Sequence, residues 1–174
     1  MKQPPTIVRL NSRTMPMNDI AREILAPLSP NLVEIEGATD AEILAAAREA
    51  DAILIVSAYL HTEVIRELKN CKIISRIGTG VDKIDINEAT HQGIIVNNLP
   101  GAFTDEVADH TLALLLAAAR KIRELDRRMR AGKPVSIAGF HRLAAQTVGI
   151  IGFGLIGRAV AKRCRAFGLR VLAN

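Results

Sequence analysis

The chain has no tryptophan, one tyrosine and four phenylalanines in 174 residues, so it lacks the aromatic platforms on which single-stranded nucleic acid stacks. Its two cysteines, Cys71 and Cys164, stand far apart. They exclude a disulfide framework and a zinc site of ordinary ligand spacing, and they read as small buried residues in a reducing compartment. Long hydrophobic runs are missing too. The longest uncharged apolar stretch, Thr111 to Ala119, falls far short of the ~20 residues a membrane helix needs. The N-terminus MKQPPTIVRL offers no apolar signal core, and a cytoplasmic protein without membrane attachment is expected.

Acidic residues are scarce at one end. Residues 1–119 carry 10 Lys/Arg against 16 Asp/Glu, net −6, whereas residues 120–174 carry 13 against 2, net +11. A basic end of this kind is a possible nucleic-acid footprint. These basic residues lie on helical segments without aromatic interleaving or a recognition helix, so a solvated helix face is the better reading and no nucleic-acid partner is expected.

What is present is a regular alternation. The patterns predict strands over 6–11, 31–37, 52–56, 72–77 and 93–98 and helices over 18–28, 39–50, 61–70 and 85–93, with Asn18 and a Thr39–Glu42 capping box at two helix starts. Short loops between alternating strands and helices mean a parallel sheet covered by helices: an α/β, flavodoxin-like domain of five strands over residues 1–100. Residues 101–174 are expected to hold a long helix over 104–130 and then the first βαβ unit of a Rossmann domain. The helix carries Val107, Thr111, Leu114, Ala118, Ile122, Leu125 and Met129 at spacings of three or four, a seam suited to a partner.

In open parallel sheets ligands bind beyond the carboxyl ends of the strands. Three loops fall there: Ser57 to His61, Gly78 to Asp82 and Asn97 to Gly101. In the middle loop, Gly78 and Gly80 flank Thr79 and are expected to use positive φ, turning consecutive N–H groups into one anion-binding concavity. Arg76, just upstream, is a further donor. In the second region Gly152, Gly154 and Gly157 form a G-x-G-x-x-G turn between a strand and a helix, the dinucleotide fingerprint. The acidic ribose ligand that belongs roughly 20 residues past the glycines falls after Asn174, so the chain reads as an unfinished dinucleotide domain.

The blocks ISRIGTGVDKIDINEATHQGIIVNNLPGAFTDEVADHTLALLLAAAR (74–120) and TVGIIGFGLIGRAVAKRCRAFGLRV (147–171) closely resemble, in order and spacing, the D-isomer-specific 2-hydroxyacid dehydrogenases. The resemblance extends over essentially the whole chain. It implies that Arg76, Gly78, Thr79, Gly80 and Val81 hold the substrate carboxylate, and that Ser57, Tyr59 and His61 touch the rest of a 2-hydroxy or 2-oxo acid. It further implies that Asn98 lies near the nicotinamide, and that Gly152, Phe153, Gly154, Leu155, Ile156 and Gly157 receive the pyrophosphate of NAD or NADP, with NAD preferred. The run from Thr104 to Arg120 would be the hinge and dimer helix of a homodimer.

The same resemblance places the family's catalytic arginine, glutamate and histidine after Asn174. No catalytic residue and no metal ligand is therefore expected here, and the chain reads as the N-terminal portion of such an enzyme, inactive by itself. In the complete enzyme, as the resemblance implies, a histidine takes the hydroxyl proton while hydride passes to the nicotinamide of the cofactor. A phosphoglycerate-like substrate is expected. His110 follows Asp109 where the family has Glu-His, and reads as a packing residue; His91 reads as exposed. The linker SIAGFHRLAAQ (136–146) departs from the family pattern. The alternative reading is a non-catalytic, dinucleotide-responsive co-repressor.

Overall fold

The structure, a computed structural model, describes residues 3–136, 138–144 and 146–174; the expectations for the N-terminus and the 136–146 linker include residues outside these. The chain forms two compact units, Met1–Pro100 and Gly101–Asn174.

In the first unit, strands β1 (Thr6–Arg9), β2 (Asn31–Glu34), β3 (Ala52–Ile55), β4 (Ile73–Arg76) and β5 (Ile95–Asn97) alternate with helices α1 (Asp19–Leu25), α2 (Asp40–Ala47), α3 (Thr62–Arg66) and α4 (Ile86–His91). The sheet is wholly parallel in the order β2-β1-β3-β4-β5, with Ile7 opposite Ala52, Ala52 opposite Ile73 and Ile73 opposite Ile95. The flavodoxin-like α/β architecture read from the alternation is the one observed. Val8, Leu10, Ile53, Ile55 and Ile74 project from one sheet face into a core completed by Ile43, Val64, Ile65 and Ala89 of the helices. Cys71 is buried in that core and Cys164 in the second unit, and burial raises both thiol pKa values above the ordinary range.

The helices are locally specified. Asn18 accepts from the Ala21 N–H (2.9 Å). Thr39 accepts from the Glu42 N–H (3.2 Å), while Glu42 reaches back to the Ala38 N–H (2.9 Å). The helix predicted over 18–28 ends early, because Pro27 belongs to a separate 3-10 turn, Ala26–Leu28, that Ser29 closes in the left-handed region.

Arg9 faces the sheet side opposite Val8 and Leu10, as a period of two requires. It is 2% exposed, its Nη2 donates to the Met15 carbonyl (2.5 Å), and its Nε and Nη1 have no acceptor among the described residues. Desolvation lowers its pKa from the ordinary value. A buried cation with incomplete partners is costly, and a well-packed apolar replacement in such sites is often stabilising by about 1–4 kcal/mol. Arg9→Met is accordingly expected to raise the urea midpoint of the chain; a midpoint below that of the wild type would show that the Met15 contact outweighs the desolvation.

The second unit contains α5 (Thr104–Ala119), α6 (Ile122–Arg130), β6 (Thr147–Ile150), α7 (Leu155–Ala166) and β7 (Arg170–Ala173), with β6 and β7 parallel. The single helix expected over 104–130 is broken. Lys121 sits in the left-handed region (φ 50°), and α5 alone is 16 residues, about 24 Å at ~1.5 Å per residue. Periodicity conceals the break, since apolar residues recur on both sides of it. What marks it is tertiary: the Phe140 ring lies 4.8 Å from the Arg120 guanidinium and 5.8 Å from Lys121 Nζ. Ala108 and Leu112 of α5 pack with Val160 and Cys164 of α7. Val107, Leu114, Ile122 and Met129 of the expected seam remain exposed. Arg163 of α7 donates to Asp109 (2.5 Å) and Asp105 (2.9 Å) of α5, and the Asp105 bond, followed by the Asp109 bond, raises its pKa.

Candidate functional site

The loops after β3 and β4 are fastened to each other. Leu60 donates to the Lys83 carbonyl (2.9 Å) and accepts from the Asp85 N–H (3.3 Å), forming a parallel bridge between Leu60 and Ile84. Both side chains are buried. Lys83 crosses back over the first loop, donating from Nζ to the Ser57 carbonyl (3.0 Å) and lying 4.7 Å from the Tyr59 ring centroid. Tyr59 stacks on His61 with centroids 5.6 Å apart, and His61 Nδ1 lies 3.0 Å from the Asp40 carboxylate. Hollows of about 260 and 400 Å³ flank this loop, the first bounded by Asn11, Glu36 and Asp40 and the second by Asp82, Lys83 and Asp85. A larger hollow of about 660 Å³ beside Lys121 and Arg127 is formed by surface side chains of α5 and α6 and contains no comparable arrangement of loops.

The Gly78–Val81 loop corrects one expectation. Neither Gly78 nor Gly80 adopts positive φ. The atoms nearest them are side-chain ends: a Cβ on Gly80 would lie 2.7 Å from Asp82 Oδ1 and 2.9 Å from Arg76 Nη1, and one on Gly78 would lie 3.3 Å from Arg76 Cζ, so a larger residue would displace these side chains. Arg76 lies across the loop. Its Nη1 donates to the Gly80 carbonyl and its Nε to the Val56 carbonyl (3.3 Å), so it ties the two loops together. Gly78 donates to the Arg76 carbonyl (3.0 Å) and accepts from the Leu99 N–H (2.9 Å). The N–H groups from Thr79 to Lys83, those of Thr79, Gly80 and Val81 included, have no acceptor among the described residues. Asn98 completes the loop by donating from Nδ2 to the Thr79 carbonyl (2.6 Å).

Thus Ser57, Tyr59, His61, Arg76, Gly78, Thr79, Gly80, Val81 and Asn98 are gathered at one end of the first unit. Asn11, Asp40, Lys83 and Asp85 were not singled out from the sequence. Of these only Asp85 carried a usable signal, an Asp at the start of the helix predicted over 85–93; Asn11 falls inside the strand predicted over 6–11. His91 is exposed at the end of α4. His110 is exposed and makes no side-chain hydrogen bond among the described residues; the packing role expected of it falls to Asp109.

Asp85 anchors this end of the fold, accepting from Thr62 Oγ1 (2.5 Å) and capping α4 through the Glu88 N–H (3.0 Å). The Thr62 hydroxyl first, then the Glu88 amide, lowers its pKa below the usual 3.8. A depressed carboxylate contributes stability that is present above its unfolded pKa and is lost as pH falls through the folded one. Asp85→Asn should therefore flatten the acid limb of the stability curve below about pH 4 and leave its neutral-to-basic shape alone. An acid limb as steep as that of the wild type in urea titrations would exclude this role.

The second group lies in the other unit. Gly152 has φ 87° and starts the turn after β6, held by its N–H to the Asn174 carbonyl (2.9 Å). Gly154 is the N-cap of α7 and supplies no capping side chain. The first-turn amides of Leu155, Ile156 and Gly157 therefore stay open to an anion at a helix start, where the dipole favours negative charge. Nothing lies within 4 Å of a Cβ placed on Gly154, whereas one on Gly157 would overlap the Gly152 carbonyl oxygen. The third glycine is thus required by packing. No contact among the described residues requires the second, as expected if a ligand comes close to it.

A five-stranded parallel sheet with open amides at its carboxyl end, and a βαβ unit with a glycine turn, define the chain as an α/β protein. Residues 14–167 match the catalytic domain of the D-isomer specific 2-hydroxyacid dehydrogenases, and the chain belongs to that family. It is 42% identical over 160 residues to a D-3-phosphoglycerate dehydrogenase of Archaeoglobus fulgidus, covering 88% of this chain and 30% of that protein. It is 42% identical over 139 residues to a glyoxylate reductase of Thermococcus litoralis, covering 75% and 42%. An acyclic imino acid reductase solved in complex with NADPH and D-Arg superposes with a TM-score of 0.85 at 26% identity, covering 97% of this chain and 55% of that one. The chain thus spans less than half the length of these two relatives.

Proposed function

We propose that this chain supplies the carboxylate cradle and the pyrophosphate turn of an NAD(P)-dependent oxidoreductase acting on a D-2-hydroxy acid, phosphoglycerate-like, with NAD the preferred cofactor. Residues 1–100 are the substrate domain, and residues 101–174 the hinge and dimer helices followed by the start of the nucleotide domain. The observation that carries the reading is the run of N–H groups, Thr79, Gly80 and Val81 first, that have no acceptor among the described residues. Three consecutive amides without acceptors suit a carboxylate, and an anion fixed there is oriented without reorganisation of the loop.

Arg76 and Asn98 hold the trio in shape, Gly78 and Gly80 leave room for them, and Ser57, Tyr59 and His61 meet the remainder of the acid. In the second unit, Gly152 and Gly157 shape the turn, Gly154 leaves it open, and the amides from Leu155 to Gly157 take the pyrophosphate with Phe153 beside them. The nicotinamide of a bound dinucleotide supplies the hydride acceptor or donor. The exposed residues Val107, Leu114, Ile122 and Met129 support a homodimer.

The test is an amide NMR titration of the chain with D-glycerate and, separately, with NAD. D-glycerate should shift Thr79, Gly80 and Val81, and NAD should shift Gly152 to Gly157 with affinity no tighter than about millimolar, ~−4 kcal/mol. Shifts confined to other segments would overturn the assignment.

A further inference from the structure

A second set of three amides lies beside the first, and the protein fills it. The backbone leaves β3 at Val56, and the N–H groups of Val56, Ser57 and Ala58 converge on one atom, Asn11 Oδ1, at 3.2, 2.8 and 2.9 Å. Because all three partners are donors, the side-chain oxygen must be the atom that faces them. Asn11 is 6% exposed and stands just past β1 with φ 62°, a conformation open to Asn and Gly but unfavourable for most side chains. Its own N–H donates to the Glu36 carbonyl (3.1 Å), so the residue is pinned between the ends of β1, β2 and β3.

The sheet itself does not require this contact. β1 and β3 are already joined by the Ile7–Ala52 to Arg9–Leu54 pairing, and the Leu10 N–H continues it to the Leu54 carbonyl (2.8 Å). The amides that Asn11 takes belong to the loop alone. Convergent consecutive amides form an anion-binding nest. The 56–58 amides form such a nest, occupied by a neutral amide oxygen of the chain, whereas the 79–81 amides at the end of the neighbouring strand have no acceptor among the described residues.

We infer that Asn11 is a positioning residue that plugs the 56–58 nest, setting the course of the 57–61 loop and leaving 79–81 as the cradle to which a substrate carboxylate goes. This rests on the carboxylate assignment of 79–81 made above. A neutral plug suits the task, since it satisfies the three donors without placing a negative charge beside an incoming acid.

The experiment compares Asn11→Gly, which keeps the left-handed backbone and removes the acceptor, with Asn11→Asp, which keeps an acceptor. Both are followed by amide exchange and D-glycerate titration. In Asn11→Gly, exchange at Val56, Ser57 and Ala58 should quicken by about tenfold or more, the equivalent of ~1.4 kcal/mol. D-glycerate should then shift these three amides, which it leaves unmoved in the wild type. That new response is a gain that loss of mere structural support does not produce. In Asn11→Asp the three amides should stay protected and should follow the titration of the introduced carboxyl group. Unchanged exchange in Asn11→Gly, or no new response to D-glycerate, overturns the inference. Should Asn11→Gly fail to fold, Asn11→Asp decides, and amides at 56–58 that do not report its carboxyl titration overturn it. Silence of 79–81 toward D-glycerate in the wild type would instead sink the carboxylate assignment, with the exchange and titration results still ruling on the plug.

Discussion

Gly157→Ala is expected to disrupt the glycine turn and the β6–β7 pair, whereas Gly154→Ala should fold normally and lose its response to NAD. The Cβ of an alanine at 157 would overlap the Gly152 carbonyl oxygen and lie 3.4 Å from Ile150 Cγ2. The overlapping atom is backbone, so relief requires α7 to move away from β6. Overpacking of this kind costs about 3 kcal/mol, at the upper end of the usual range. The second unit has few residues with which to absorb it, its core comprising Ala108, Leu112, Val160, Cys164 and Leu169. Amide protection in β6 and β7 should disappear. At Gly154 the backbone is extended (φ −76°, ψ −158°) and the space is empty, so an alanine fits the protein and obstructs only a ligand. A normally protected β6–β7 pair in Gly157→Ala, or NAD shifts of wild-type size in Gly154→Ala, would refute the division of labour between the two glycines.

Leu60→Ala is expected to be the most damaging single truncation in the substrate loop. Leu60 is 2% exposed, and its side chain belongs to the same core as Val64 and Ile84. Its backbone also makes the bridge to the 81–85 segment. Removing a buried leucine side chain costs about 2–5 kcal/mol, depending on how far the site collapses. The urea midpoint should fall with an unchanged slope, the sign of lost stability without a change in cooperativity. Exchange at Leu60 and Asp85 should quicken, and D-glycerate shifts at 57–61 should weaken, because loop and core share this anchor. A loss below about 1 kcal/mol would mean that the loop is held by Lys83 and Asn11 without its leucine.

Much of this was legible because it is local. Asn18 and Thr39 announce helix starts through side chains that reach amides three residues on. The run AILIV reads as a buried strand because its apolar residues are contiguous. Gly152, Gly154 and Gly157 announce a turn whose backbone needs their spacing, and the open amides at 79–81 lie in the loop the glycines pointed to. The positive φ expected at Gly78 and Gly80 is not found, because a glycine in a sequence does not show which backbone conformation it adopts; the atoms nearest the two glycines are the ends of the Arg76 and Asp82 side chains.

The order of strands and helices, the parallel α/β class, the positions of the loops at the carboxyl ends and the glycine turn follow from local patterns, since each depends on residues within a few positions of one another. Tertiary structure alone decided the strand order β2-β1-β3-β4-β5, the break at Lys121, the commitment of Arg76 to the loops and the filling of the 56–58 nest by Asn11. Asn11 and Ser57 are 46 residues apart, and they meet only because β1 and β3 are neighbours in the sheet with one particular register. A contact at that separation is set by the pairing of whole strands, whose energy is spread over many residues, and no short segment of the chain encodes it.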